Sequence, residues 1–112
     1  MSSRDMIVLK KIIQYANEIE TIIIRFELTR ETFEIDFVVR HAIAMCILQI
    51  GELVGKLSDE FKKENNAMPW RDIKAMRNIA AHNYGEIDID LLWETAIGDI
   101  PTLKEYCAEF VI

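Results

Sequence analysis

Near the start of the chain, Met6, Leu9, Ile13, Ala16, Ile19, Ile23 and Phe26 follow one another at spacings of three and four. At about 100° per residue these side chains line one stripe of a helix about 20 residues long. Ile12 and Ile22 widen the stripe, which predicts more than one neighbour for this helix. Thr29 or Thr32 is placed to cap a second helix, and Glu31 and Glu34 are the acids that suit a helix N-terminus. That helix carries residues 42–48, Ala-Ile-Ala-Met-Cys-Ile-Leu, apolar nearly all round. Such a helix is buried on several sides, by its own bundle or by a second subunit.

A polar stripe threads the same helix: His41, Gln49, Glu52 and Lys56 fall within about 80° of one another. It reads as a satisfied polar seam between helices or, more sharply, as the edge of an active cleft at Gln49 and Glu52. Gly51 and Gly55, four apart, would let another helix approach closely. Residues 58–66 are polar and lysine-rich, and are expected to be an exposed tail running into a loop. Pro69 then opens a third helix, since a missing N–H costs nothing in the first turn, and the helix should reach about His82 before Gly85 stops it. Asp88 or Asp90 caps a fourth helix, which Gly98 and Pro101 should kink or break before Leu103, Tyr106, Cys107 and Phe110. Short links between long helices predict an all-α, up-and-down bundle of four or five helices, with residues 1–112 as one domain.

Composition sharpens this in three ways. A hydrophobic content of 51% excludes a disordered chain and suggests that some apolar surface serves a subunit interface. Cys46 and Cys107 stand alone in apolar surroundings, and the start of the chain runs straight into an amphipathic segment without the pattern of a secretory leader. With no uninterrupted apolar run of membrane-spanning length, a cytoplasmic protein is expected. The net charge of −6 is unfavourable for binding nucleic acid, but it is unevenly spread. Residues 56–77 hold six bases (Lys56, Lys62, Lys63, Arg71, Lys74, Arg77) against four acids, whereas residues 86–112 hold seven acids against Lys104.

Candidate chemistry is sparse. His41 and His82 lie far apart and the two cysteines form no paired motif, so no metal site is legible and no cofactor is expected. Glycine-rich phosphate loops and Gly-x-Ser-x-Gly elbows are absent. What remains is the concentration of Arg77, Asn78, His82 and Tyr84 around one helix end. In a continuous helix Arg77 and His82 stand about 140° apart, so they converge only if the chain turns after His82 or a symmetry mate completes the site. A titrating imidazole can move protons, and a guanidinium can stabilise the charge of a phosphorane. Taken without context, Arg-x4-His is a weak pattern.

The surrounding landmarks supply context. Arg77, His82 and Tyr84 resemble the Arg-x4-His-x-Tyr motif of the HepT-like toxins, a branch of the HEPN nucleases. Ile50-Gly51-Glu52, Leu57-Ser58, Pro69-Trp70, Asp88, Trp93-Glu94 and Asp99-Ile100-Pro101 resemble that family's landmarks in the same order. The resemblance spans nearly the whole chain. It implies a homodimeric HEPN-like bundle whose two motifs line a shared cleft, and metal-independent endoribonuclease activity with Arg77 and His82 as catalytic residues. Asn78 would orient the arginine or the phosphate. The resemblance also implies a toxin of a type VII-like toxin–antitoxin pair, silenced by a nucleotidyltransferase antitoxin of the MntA type that adenylylates Tyr84. This chain has Met45 and Cys46 where other members often carry polar residues, a departure that bears on RNA binding. With the acidic balance, it keeps open a second role, as a non-catalytic helical subunit of a nucleotidyltransferase.

Overall fold

The computed structural model describes residues 1–81 and 88–111, with the side chains of residues 79–81 outside that description. Among the described residues the chain is helical throughout, without strands. Helix α1 spans Ser3–Arg25 and is capped by Ser2, whose hydroxyl accepts from the Asp5 amide. Its core face is Val8, Leu9, Ile12, Ala16 and Ile19, so the stripe expected from spacing is rotated slightly: Ile13 and Ile23 are half-buried and Phe26 is exposed.

The expected second helix is two helices. Thr29 caps α2 (Arg30–Ile35) in a reciprocal capping box with Thr32. Asp36 then turns the chain and caps α3 (Phe37–Lys56) by accepting from the Val38 and Val39 amides. A second strong cap inside an apolar stretch is a restart signal. Residues 58–66 are likewise no simple tail. Ser58 caps α4 (Asp59–Glu64), which turns Phe61 into the core.

Helix α3 is the centre of the bundle and lies against both α1 and α5 (Trp70–Ala81), while α7 (Ile100–Ala108) lies on α1. Ile43, Ile47, Ile50 and Val54 are fully buried in it together with Leu9, Ile12 and Ile19 of α1 and Leu103 of α7. By length and mean hydropathy (1.6), α3 alone among the described residues could cross a membrane, although no uninterrupted apolar run is present. Half of that window is buried inside the bundle.

Asp88 caps α6 (Ile89–Glu94) by accepting from the Leu91 amide. Beyond it Gly98 and Pro101 do not break the helix. A π turn, Thr95–Asp99, widens it and leads directly into α7. Proline would otherwise clash with the carbonyl four residues back, and a wider turn accommodates the ring without ending the helix.

Candidate functional site

Helix α5 carries the motif and is anchored at its first turn. Trp70 is buried, its indole N–H donates to the Asn65 carbonyl at 2.9 Å, and its ring meets Phe61 and Tyr106 with centroids 5.9 Å away in each case. Phe110 closes the cluster against Phe61 at 5.2 Å and Tyr106 at 5.6 Å. Ile73 and Met76 continue the buried face at intervals of three, which leaves Arg77 and Asn78 on the exposed side. The tryptophan thus fixes the position of a helix whose working residues lie two turns further on.

Across from Arg77 stands α3. A Cβ added to Gly51 would lie 2.9 Å from Arg77 Cβ and 3.0 Å from its backbone nitrogen, closer than a side chain can approach. Gly55 faces only the far end of the Lys74 side chain, with Cε 3.3 Å from where a Cβ would stand. Gly51 therefore lets α3 and α5 meet nearly backbone to backbone at the candidate site, whereas Gly55 leaves room for a side chain. That approach brings Glu52 Oε1 to 2.6 Å from Arg77 Nε, with both side chains 45% exposed.

The expected residues are distributed as follows. Glu52 and Arg77 are brought together, Asn78 is exposed beside Arg77, and half-buried Gln49 is one turn before Glu52, with its amide 3.9 Å from Met45 Sδ. His41, the far end of the polar stripe, is exposed and meets the edge of Phe37 at 5.7 Å between centroids. It lies about 16 Å along the helix from Glu52 at 1.5 Å per residue, and so belongs to another neighbourhood. His82 and Tyr84 lie outside the described residues. Lys74 was legible only as part of a basic strip; its seat against Gly55, one turn before Arg77, gives the site a second cation.

Among the described residues no group of His, Cys, Asp and Glu could hold a metal ion. Cys46 and Cys107 are buried free thiols. Burial, then the Glu18 charge, pushes Cys46 up to about 11, and burial pushes Cys107 up to about 12. A thiol so reluctant to ionise is a core filler, not a nucleophile.

The description "Ribonuclease HepT-like" matches residues 12–110. A Thermococcus cleftensis protein named "Probable ribonuclease HepT" is 33% identical over 70% of this chain and 74% of its own length. A Methanocaldococcus jannaschii protein, provisionally named an RNase, is 29% identical over 94% of this chain and 95% of its own length. Another from that organism is named a gamma-glutamylcyclotransferase and provisionally an RNase. It is 36% identical over 81% of this chain, which spans 43% of that longer protein. No solved structure matches. With a match that runs from α1 to the end of α7 and an arginine seated at an α3–α5 approach, the chain belongs to the HepT-like ribonuclease family.

Proposed function

We propose that this chain is a metal-independent endoribonuclease and the toxin of a toxin–antitoxin pair. One observation carries the reading: Arg77 is held across from Glu52, half exposed, at the helix face of a HepT-like ribonuclease where a phosphate can reach it. Cleavage of RNA by the neighbouring 2′-hydroxyl passes through a phosphorane bearing extra negative charge. Arg77 stabilises that charge and His82 carries the protons, with Asn78 orienting the phosphate or the guanidinium. Relatives named as ribonucleases support the activity class.

Two copies complete the site in this reading. Most of residues 42–48 are consumed by the chain's own core: Ile43, Ala44, Cys46 and Ile47 are buried. The apolar surface left for a partner copy is therefore smaller than the sequence suggested. It lies at the α2–α3 junction and along α3, where Ile35, Phe37, Val38 and Met45 are all more than half exposed. Light scattering should return twice 13 kDa, and a Val38→Glu variant should return 13 kDa.

A nucleotidyltransferase antitoxin silences the enzyme by adenylylating Tyr84, which places a bulky anion beside the phosphate-binding arginine. Intact-mass measurement with partner, ATP and magnesium should show the adenylyl shift in the wild type and none in Tyr84→Phe.

The activity test is cleavage of total RNA in the presence of a chelator. Arg77→Ala and His82→Ala should each lose about a hundredfold or more with an unchanged melting temperature. Cleavage abolished by chelation, or undiminished in His82→Ala, would overturn the reading. The net charge of −6 favours a second role, as a non-catalytic subunit of a nucleotidyltransferase. Harmless high-level expression of the chain alone would select it over the toxin, which should arrest growth.

A further inference from the structure

The Glu52–Arg77 pair poses a problem for an RNA-binding site: it places a carboxylate 2.6 Å from the cation that is to bind a phosphate. We infer that Glu52 is a positioning residue, which holds Arg77 by Nε so that the outer edge of the guanidinium is presented to an RNA phosphodiester. This rests on the ribonuclease reading of Arg77.

Four observations support it. The closest approach is at Nε, the root of the guanidinium, and the Nη1–Nη2 edge is the part that takes two phosphate oxygens. Glu52 and Arg77 come from different helices, so the pair fixes the arginine relative to α3 and not merely to its own helix. Their approach depends on Gly51, whose missing Cβ is what lets Arg77's backbone come within 3.0 Å of where that atom would be. Finally, both side chains are 45% exposed, and a half-exposed ion pair contributes little to stability. A carboxylate kept beside a phosphate-binding cation thus serves mainly to limit the rotamers of a long side chain, which raises the fraction of encounters in productive geometry.

A carboxylate that merely competed with RNA would act as a brake, and its removal would raise turnover. A positioning carboxylate has the opposite sign. Glu52→Ala should lower kcat about tenfold, while KM for an RNA oligonucleotide stays level or falls, because an anion has been removed from the path of the phosphate. Glu52→Gln keeps an acceptor oxygen at the same reach and should recover most of the kcat. Melting temperatures of all three proteins should agree within a few degrees.

The independent readout is the Arg77 Nε–H resonance of the full chain without RNA. Its chemical shift should stand apart from that of a free arginine in the wild type, less so in Glu52→Gln and not in Glu52→Ala. A kcat for Glu52→Ala that equals or exceeds the wild type's would overturn the inference, as would a Glu52→Gln protein no better than Glu52→Ala. An Arg77 Nε–H signal indifferent to residue 52 would overturn it too. If the wild type cleaves no RNA, the ribonuclease reading fails separately, and the Nε–H signal alone decides whether Glu52 holds the arginine.

Discussion

Replacing Gly51 and Gly55 separately by alanine should move stability in opposite directions, although both lie on one helix four residues apart. In an unconstrained helix either change would stabilise by about 0.5–1 kcal/mol, because glycine loses more backbone freedom on folding. At Gly51 the new methyl would stand 2.9 Å from Arg77 Cβ, 3.0 Å from its amide nitrogen and 3.3 Å from its Cα. Carbon atoms rest at about 3.5–4.0 Å, so α5 would have to withdraw by roughly 0.6–1 Å. Two of the three atoms are backbone and cannot rotate aside. Overpacking of this kind costs about 1–3 kcal/mol, which outweighs the gain in propensity over most of that range and leaves a net loss of up to about 2.5 kcal/mol. At about 4–8 °C per kcal/mol for a domain of this size, Gly51→Ala should melt several degrees below the wild type. At Gly55 the neighbour is Lys74 Cε at 3.3 Å, the far end of a flexible, exposed side chain that can swing away. Gly55→Ala should therefore melt a few degrees above the wild type. Thermal unfolding followed by far-ultraviolet circular dichroism compares the three proteins directly. RNA cleavage at a temperature where all are folded adds a second readout, since withdrawal of α5 takes Arg77 from Glu52 and should cost Gly51→Ala about tenfold in rate. A Gly51→Ala protein that melts at or above the wild type would refute the close approach of α3 and α5.

Three further outcomes follow from the core. Burial alone would raise the Asp5 carboxyl, but donation from the Ser58 hydroxyl at 2.6 Å and amide at 2.8 Å, with Ser2 and the N-terminal charge, holds it below the ordinary carboxylate value. Its unfolded-state partner therefore takes up a proton first as pH falls. The stability Asp5 contributes is whole above about pH 4 and is lost below it as pH falls towards the folded value, so denaturation curves of wild type and Asp5→Asn should converge in acid and separate by about 1–3 kcal/mol at neutrality. Burial raises both thiols and closes them to solvent, so neither cysteine should react with a disulfide reagent at pH 8 until denaturant is added. Trp70→Ala should cost about 3–5 kcal/mol, measured by chemical unfolding, because it removes a buried ring packed on Phe61 and Tyr106.

Much of this protein was settled by local chemistry and was readable in its sequence. Apolar spacing is a property of a helix face whatever lies opposite, so α1 could be read from periodicity, the centre of α3 from its apolar run and the start of α5 from Pro69. The caps were legible to within a pair, Thr29 or Thr32 and Asp88 or Asp90, because a short side chain with an acceptor satisfies its own chain's amides, and the structure uses Thr29 and Asp88. The glycine pair announced a close approach, and the ordered landmarks around Arg77 announced the family. Other features needed the tertiary structure. The turning-in of Phe61 follows from what the neighbouring helices leave open, which no local pattern states. The helix across Pro101 survives because a π turn between α6 and α7 widens it instead of ending it. The site shows the division most clearly. Residues 52 and 77 are 25 apart in sequence, and nothing in either helix specifies the other. Only the distance of closest approach, set by a missing Cβ at Gly51, turns a glutamate on a polar stripe into the residue that grips Arg77.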